Sequence, residues 1–278
     1  MTDIGILDSV VLGVVEGLTE FLPVSSTGHL TIAEKALGLS IDDKGVTAFT
    51  AIIQIGAIAA VLVYFFRDIV RIVSAWVRGL FDPEVRGTFD YRFGWFVIWG
   101  SLPIAVIGFL ARDLISGSLR SLWVVAAALV LWSAVMLFAE RVARQDREER
   151  QTTLTDVLVI GLVQCVALVP GVSRSGATIS AGLLRGLDRV TATRLSFFLS
   201  IPALVGAGLF ELKDAVKENV PVGALAVGTL VSFVVAFASI AWLLRFVAHH
   251  PISLFVPYRV IVGVVLLGLL ATGAVTAT

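Results

Sequence analysis

Two glutamates four residues apart carry the most distinctive chemistry in this 278-residue sequence. Glu16 and Glu20 lie in the segment GVVEGLTEFLP, so on a helix both carboxylates project from one face. Ionisable groups in an apolar helix are costly and indicate function, although a solvated pair at the membrane surface is the structural alternative. Two carboxylates this close favour a shared proton or a divalent cation. Magnesium suits such a site because it binds one or two carboxylates together with substrate phosphate oxygens, and calcium is the alternative.

The segment PVSSTGH, residues 23–29, brings hydroxyl groups and an imidazole close to these acids in the sequence. His29 is a candidate nucleophile, general base or general acid, and a hydrogen-bonded structural role is the alternative. The hydroxyls of Ser25, Ser26 and Thr27 are ambiguous one by one, because capping explains Ser and Thr at a helix break without any chemistry.

An arginine occurs in a second segment of the same kind, PGVSRSGAT, residues 170–178. The guanidinium of Arg174 fits phosphate oxygens in a bidentate way, and inside a membrane it needs an anionic partner. A salt bridge to Glu16 or Glu20 is the alternative partner. We predict that Arg174 is the only basic residue inside the membrane.

The composition predicts the environment in which these groups act. Hydrophobic residues make up 58% of the chain and charged residues 15%, and the mean hydropathy is +0.96. A soluble domain has about 45–50% apolar and about 25% charged residues, so the sequence indicates a multi-spanning membrane protein. It argues against a cytosolic enzyme, a secreted disulfide scaffold and a disordered chain. The 21 basic residues equal the 21 acidic ones, which argues against nucleic-acid binding.

The apolar segments divide into two kinds. Windows of about 20 residues predict six spanning helices, near residues 46–66, 93–111, 122–139, 195–212, 222–244 and 260–275. Two further stretches, 4–37 and 154–187, are broken in the middle by Pro, Gly, Ser and Thr. Because irregular backbone at membrane depth must be buried in protein or line a wet cavity, we expect two re-entrant hairpins.

Both breaks predict an anion site. Proline ends the first half-helix, Ser or Thr caps the second, and the second half-helix directs its N-terminal N–H groups inward. Such a terminus carries partial positive charge and binds anions. Two of them that meet from opposite leaflets would form one intramembrane anion site. The alternative is a pair of kinked spans.

The chain matches itself at an offset of 148 residues. This offset aligns Gly13 with Gly161, Ser25 with Ser173, and one broken segment with the other. A hairpin followed by three spans occurs twice, and an odd number of spans inverts the second copy. The expected fold is therefore an all-α membrane protein with six spans and two re-entrant hairpins in an inverted repeat. Its parts are residues 1–139, a cytoplasmic linker 140–153, and residues 154–278.

The basic residues indicate how the chain is oriented. One predicted side holds fourteen arginines, namely Arg67, Arg71, Arg78, Arg86, Arg92, Arg141, Arg144, Arg147, Arg150, Arg185, Arg189, Arg194, Arg245 and Arg259. The other side holds six basic residues, namely Lys35, Lys44, Arg112, Arg120, Lys213 and Lys217. The positive-inside rule makes the first side cytoplasmic, so both termini and the glutamate-bearing hairpin lie on the outer side. We therefore expect the site to open outward.

The two segments GVVEGLTEFLPVSSTGHL and PGVSRSGATI resemble the signature segments of the undecaprenyl-pyrophosphate phosphatase family, the bacitracin resistance proteins. This resemblance implies an inner-membrane enzyme that hydrolyses a polyprenyl diphosphate to the carrier monophosphate used in cell-wall synthesis, with a divalent cation as cofactor. It implies catalytic or metal-binding roles for Glu16 and Glu20 and phosphate binding by Arg174. Ser26 and His29 are then the catalytic pair, with Ser26 the favoured nucleophile.

The resemblance also implies the groups that contact the substrate. They are Ser25, Thr27, Ser173, Arg174, Ser175 and Thr178. Some family members carry an acid where this chain has Thr50, so we assign that position no role.

Two other classes stay open at this stage. The inverted repeat also suits a transporter or flippase of an anionic polyprenyl lipid, which would release no phosphate. The STGH sequence faintly resembles the PSGH motif of phosphatidic-acid-type phosphatases, but we find no second intramembrane histidine with an acid downstream. The oligomeric state is also open, with a homodimer among the alternatives.

Overall fold

The described part of the chain is a bundle of helices. In the computed structural model it comprises residues 4–41, 43–111, 119, 121–215 and 221–277, without the side chains of 207 and 209–215. The helices are α1 (Ile6–Thr19), α2 (Ser26–Ala36), α3 (Lys44–Tyr64), α4 (Phe66–Phe81), α5 (Phe89–Leu110), α6 (Leu122–Val142), α7 (Leu154–Gln164), α8 (Arg174–Leu184), α9 (Arg189–Ala215), α10 (Val222–Val247) and α11 (Val256–Ala271).

Five segments of the described chain are long and apolar enough to cross a membrane. They are α3, α5, α6, α10 and the segment Ile252–Ala271, which contains α11. An all-helical membrane protein is thus confirmed. The sixth expected span, 195–212, falls within α9, and it stays a prediction because several of its side chains lie outside the described part.

The two broken segments form two interrupted helix pairs with matching boundaries. Helices α1 and α7 begin at Ile6 and Leu154, and helices α2 and α8 begin at Ser26 and Arg174. Both pairs of starting points are separated by the offset of 148 residues found in the sequence. Helices α2 and α8 also have the same length, 11 residues.

The packing of the helices repeats between the two halves of the chain, as their boundaries do. Helix α1 packs on α10 and α7 packs on α5, while α3 and α9 contact each other at the centre. A Cβ atom built on Gly13 would lie 2.6 Å from the carbonyl oxygen of Gly228, and one on Gly161 would lie 2.2 Å from that of Gly100. Both glycines therefore permit a close helix crossing that a side chain would prevent.

Three sequence predictions need correction. The predicted connection 67–92 contains the helix α4 and a short 3-10 turn, Pro83–Gly87. The last spanning helix begins at Val256 rather than near residue 260, and it therefore includes Arg259. Helix α6 continues to Val142, so the first residues of the predicted linker are helical. Polar residues in a helical turn at the end of an apolar run caused the second and third errors, whereas the arginines of α4 made the first segment resemble a charged connection.

Ion pairs connect the arginine-rich segments. Arg194 contacts Asp68 at 3.2 Å and Glu149 at 3.1 Å, and Arg189 contacts Glu140 at 2.5 Å. These pairs join α4, the 140–153 segment and the start of α9 at one face of the bundle. Acids therefore pair with several of the fourteen arginines that were assigned to that side.

Asp156, which is fully buried in the first turn of α7, is a second junction at this face. It accepts hydrogen bonds from Arg147 and Arg185. The bond to Asp156 also raises the pKa of Arg147.

The opposite face contains the end of α2 and the C-terminal segment. The ammonium of Lys35 donates to Thr276 at 3.1 Å, and the N–H of Leu122 donates to the carbonyl of Ala277 at 3.0 Å. Arg112, Arg120 and Lys217 lie outside the described residues, and the side chain of Lys213 lies outside them as well. The orientation of the two faces in the membrane stays a prediction.

Candidate active site

The loops of the two interrupted helix pairs meet in the interior of the bundle. The N–H of Gly171 donates to the hydroxyl of Ser25 at 3.1 Å, and the hydroxyl of Ser175 donates to the carbonyl of Leu22 at 2.9 Å. Each interrupted helix pair therefore supplies a hydroxyl that forms a hydrogen bond with the backbone of the other. The starts of α2 and α8, which were predicted to meet, lie next to each other.

The residue before each of these helices has an unusual backbone conformation. Ser25 has φ 81° and Ser173 has φ 77°, a region that is uncommon for residues other than glycine. The hydroxyl of Ser173 caps its helix by accepting from the N–H of Gly176 at 3.1 Å. Strained backbone of this kind persists only where the surroundings hold it and is concentrated at functional sites.

Glu20 is the centre of the polar cluster. One carboxylate oxygen accepts from the guanidinium of Arg174 at 2.7 Å and from the amide of Gln54 at 3.4 Å. The other oxygen accepts a short hydrogen bond from the hydroxyl of Ser26. Of the two partners considered for Arg174, this structure therefore pairs it with Glu20. The carboxylate joins the hydroxyl at the start of α2 to the guanidinium at the start of α8.

Glu16 lies one helical turn before Glu20 and is fully buried. The N–H of Glu20 donates to the carbonyl of Glu16 at 2.9 Å, so helical geometry extends through both residues and keeps the two side chains on one face. The predicted acidic face of the first half-helix is thus present. Among the described residues there is no cluster of three or more His, Cys, Asp and Glu side chains suited to a metal.

The ring of His29 is hydrogen-bonded at both nitrogens. Nδ1 lies 2.7 Å from the carbonyl oxygen of Ser25, and Nε2 lies 2.7 Å from the hydroxyl of Tyr258. A carbonyl can only accept, so Nδ1 carries the proton and a neutral ring accepts at Nε2 from Tyr258. Ser26, the predicted partner of His29, instead donates to Glu20.

Arg259 corrects the prediction that Arg174 is the only basic residue inside the membrane. Arg259 was counted with the basic residues of the cytoplasmic side, but its side chain is fully buried between the two loops. Its guanidinium donates to the carbonyl of Pro23 at 3.0 Å in the first loop and to the carbonyl of Gly171 at 2.9 Å in the second. Further donors reach the hydroxyl of Ser133 and the carbonyls of Leu129 and Val172.

These acceptors are neutral oxygens, so none of them cancels the charge of Arg259. The guanidinium therefore holds the two loops in contact and adds positive charge close to the starts of α2 and α8. An electropositive junction of this kind favours an anionic ligand.

The remaining predicted contact residues differ in exposure. Thr27 is exposed, whereas Ser175 and Thr178 are buried. Thr178 donates to the carbonyl of Arg174 and lies 2.6 Å from the hydroxyl of Ser196 on α9. In this conformation the buried hydroxyls support the loops, and Thr27 and Ser26 are the more accessible ones.

Three residues of the site were not assigned to it from the sequence. Gln54 and Tyr258 were given no role in the site, and Arg259 was counted with the basic residues of the cytoplasmic side. All three lie in or next to apolar helices, where polar groups are costly. This cost could have marked all three residues as functional candidates. Arg259 escaped notice because the last span was predicted to begin after it.

Together these features define a class of protein: a helical membrane protein with a buried acid, hydroxyl and two guanidinium groups at the junction of two helix breaks. The chain belongs to the family described as "Bacitracin resistance protein BacA", whose model matches residues 9–265. It is 59% identical over 278 residues to "Undecaprenyl-diphosphatase 1" of Frankia alni, with all of both chains covered. It is 60% identical over 274 residues to "Undecaprenyl-diphosphatase 1" of Streptomyces coelicolor, covering 98% of this chain and 99% of the relative. It is also 50% identical over 273 residues to the undecaprenyl-diphosphatase of Corynebacterium diphtheriae, covering 97% and 95%.

Proposed function

We propose that this protein hydrolyses undecaprenyl diphosphate in the cell membrane, releasing inorganic phosphate and undecaprenyl phosphate, the lipid carrier of peptidoglycan synthesis. Removal of this diphosphate also confers resistance to bacitracin. The observation that carries the proposal is the position of Glu20, which binds both the hydroxyl of Ser26 and the guanidinium of Arg174. The proposed nucleophile and the phosphate-binding group thus both contact the proposed base.

Substrate binding in this proposal begins with an exchange of partners at Arg174. The diphosphate replaces Glu20 on the guanidinium, whose planar donors match phosphate oxygens. The N-terminal N–H groups of α2 and α8 and the charge of Arg259 add to the attraction. Glu20 then keeps its hydrogen bond to Ser26 and is free to take a proton.

The chemical step transfers the terminal phosphoryl group to Ser26. As the Ser26 oxygen bonds to the terminal phosphorus, its proton passes to Glu20, and the bond from that phosphorus to the bridging oxygen breaks. Undecaprenyl phosphate leaves with the electron pair. Water then attacks the phosphoserine phosphorus and gives a proton to Nε2 of His29 once Tyr258 has released that atom. The bond from phosphorus to the Ser26 oxygen breaks, and Glu20 returns its proton to that oxygen.

A divalent cation, magnesium or calcium, is proposed as the cofactor. Glu16 and Glu20 supply carboxylate oxygens from one helix face, a donor set that suits such a cation when phosphate oxygens complete it. When bound, the cation neutralises charge on the diphosphate. Arg174 would then contact phosphate rather than Glu20.

The finer architecture is proposed to be six spans with two re-entrant hairpins in an inverted repeat. The offset of 148 residues between the starts of the helices and the paired glycine crossings at Gly13 and Gly161 support it. The arginine-rich face is then cytoplasmic, and the site opens outward.

Cysteine labelling tests this orientation. Cys165, the one cysteine of the sequence, is first replaced by serine, and a cysteine then replaces Thr27. We expect this cysteine to react with a membrane-impermeant maleimide added outside cells. Labelling only after the membrane is opened would contradict this orientation.

Phosphate release from undecaprenyl diphosphate by purified protein tests the function. We expect release by the wild type, loss of release with a chelator, and almost none from Glu20→Gln or Arg174→Ala. Arg245→Ala, which removes an exposed arginine, is the matched control. Near-wild-type release by Glu20→Gln or Arg174→Ala would overturn the proposal. Lipid transport in liposomes without any phosphate release would instead favour a transporter.

A further inference from the structure

Helix α4 presents three different faces along its 16 residues. Its buried face contains Ile72 and Gly79 and packs on α5. A second face, spanning about 100° of the helix, is apolar yet 40–83% exposed. Its residues are Phe66, Val70, Val73, Val77, Leu80 and Phe81. These side chains form a continuous apolar stripe along the helix. No other element of the described chain covers this stripe.

The contacts of α4 place it across the end of a spanning helix. Arg71, Trp76 and Gly79 are spread over more than two turns of α4, and they contact Asp90, Trp95 and Tyr91, which all lie in the first two turns of α5. A helix that ran alongside α5 would contact a longer part of it. Helix α4 therefore packs across the first turns of α5, one of the helices that are long and apolar enough to cross a membrane.

Ionic contacts near the start of α4 agree with a position at the membrane surface. Asp68 of α4 pairs with Arg194 at 3.2 Å, and Arg71 pairs with Asp90 at 3.2 Å. Ion pairs of this kind belong at the aqueous boundary rather than in hydrocarbon. The contact between Trp76 and Trp95, with ring centroids 5.5 Å apart, is consistent with the aromatic belt at membrane interfaces.

The third face of α4 is basic. Arg67, Arg71 and Arg78 lie within about 40° of one another on the helix, directly beside the apolar stripe. Arg67 and Arg78 are exposed. An amphipathic helix with arginines beside an exposed apolar face is the form that lies in the interfacial plane of a bilayer and binds anionic lipids.

We propose that α4 is an interfacial membrane-binding helix, whose apolar stripe lies at the boundary of the acyl chains and whose arginines bind anionic phospholipid headgroups. The charge of Arg67 and Arg78 selects anionic lipid over zwitterionic lipid. This surface is separate from the proposed phosphatase site, and the inference does not depend on that activity.

The depth of the stripe is tested by spin labelling the full-length protein in lipid nanodiscs. In a Cys165→Ser background, cysteine replaces Val73 on the stripe. Leu131, exposed on the spanning helix α6, is the lipid control, and Glu84 in the turn after α4 is the water control. We expect the label at position 73 to be relaxed by oxygen and shielded from a water-soluble nickel complex, as at position 131.

Two results of that experiment would overturn the inference. Relaxation of the position 73 label by the nickel complex, as at position 84, would place the stripe in water. Broadening of the position 73 spectrum that occurs only in discs with two protein copies would show that the stripe is an interface between two chains.

The choice of lipid is tested with the double variant Arg67→Gln, Arg78→Gln. Wild type and variant are purified in discs that mix phosphatidylcholine with phosphatidylglycerol, and the retained lipids are measured by native mass spectrometry. Each arginine near an anionic surface contributes about fivefold in affinity, so the variant should lose up to about 25-fold of the preference for phosphatidylglycerol.

The matched control removes the same amount of charge from the same arginine-rich side of the bundle, but outside α4. Arg144→Gln with Arg150→Gln neutralises two exposed arginines of the 140–153 segment. We expect this control to keep the lipid preference. Equal loss in both double variants, or no loss in either, would overturn the assignment of lipid binding to α4. Unchanged phosphate release in both variants shows that they are folded.

Discussion

The guanidinium of Arg174 lies 2.7 Å from the carboxylate of Glu20, although 154 residues separate them in the sequence. The two side chains are 17% and 4% exposed, so the pair is largely withdrawn from water. Each residue belongs to a different interrupted helix pair. The contact therefore joins the two halves of the chain at the same carboxylate that binds Ser26.

A double-mutant cycle on this pair should show strong coupling. Glu20→Gln or Arg174→Gln alone leaves one charge without its partner and should destabilise the fold by about 3 kcal/mol. The double variant should cost less than the sum of the two, because neither charge remains uncompensated. Denaturation in mild detergent measures the cycle. Additive losses would mean that the two side chains do not interact in the folded protein.

Arg259 should be essential for keeping the loops together. Arg259→Met removes the donors to Pro23 and Gly171 and leaves buried carbonyls without partners, at a cost of about 1–3 kcal/mol for each group. We expect a lower midpoint of thermal unfolding, faster proteolysis of the loops and loss of phosphate release. Arg141→Met, at an exposed position, is the control. An Arg259→Met protein as stable and active as wild type would refute this role.

Tyr258 should affect catalysis rather than folding. Tyr258→Phe keeps the ring against His29 but removes the hydroxyl that donates to Nε2. Because hydrolysis of the phosphoserine needs Nε2 free of Tyr258, loss of a hydrogen bond of about 1 kcal/mol should speed that step, and kcat where it limits turnover, by about fivefold, with kcat/KM unchanged.

Steady-state phosphate release and the nitrogen NMR signals of the three histidines provide the measurements for Tyr258→Phe. Only the His29 signal should move. Tyr64→Phe, whose ring packs between Phe65 and Phe237, should leave both readouts unchanged. A histidine spectrum identical to that of the wild type would contradict the hydrogen bond.

The two glycine crossings should respond alike to substitution. Gly13→Ala and Gly161→Ala each place a Cβ atom within 2.6 Å of a facing carbonyl oxygen, so each should destabilise the protein by about 1–3 kcal/mol. Gly268→Ala, whose Cβ would meet nothing within 4 Å, should be neutral or slightly stabilising because alanine favours the helix. The unfolding midpoint measures all three. A large effect at only one crossing would argue against equivalent packing in the two halves.

Local sequence patterns were sufficient to predict the broken helices. Proline and serine near residues 23–26 and 170–174 interrupt apolar runs, and the helices restart at Ser26 and Arg174. The helix α4 was missed although its apolar residues recur with helical spacing, because its arginines made the segment look like a charged connection. The spacing of the apolar residues in that connection indicates an amphipathic helix, but the connection was judged by its charges alone.

The sequence by itself determined the environment and the reactive groups. Apolar runs of spanning length require a membrane, and a membrane makes Glu16, Glu20 and Arg174 too costly to be incidental. Only the tertiary structure decided the partners: Glu20 for both Ser26 and Arg174, Tyr258 for His29, and the two loops for Arg259. The physical reason is that these contacts join segments up to 236 residues apart, and their geometry depends on how the helices pack rather than on any local pattern.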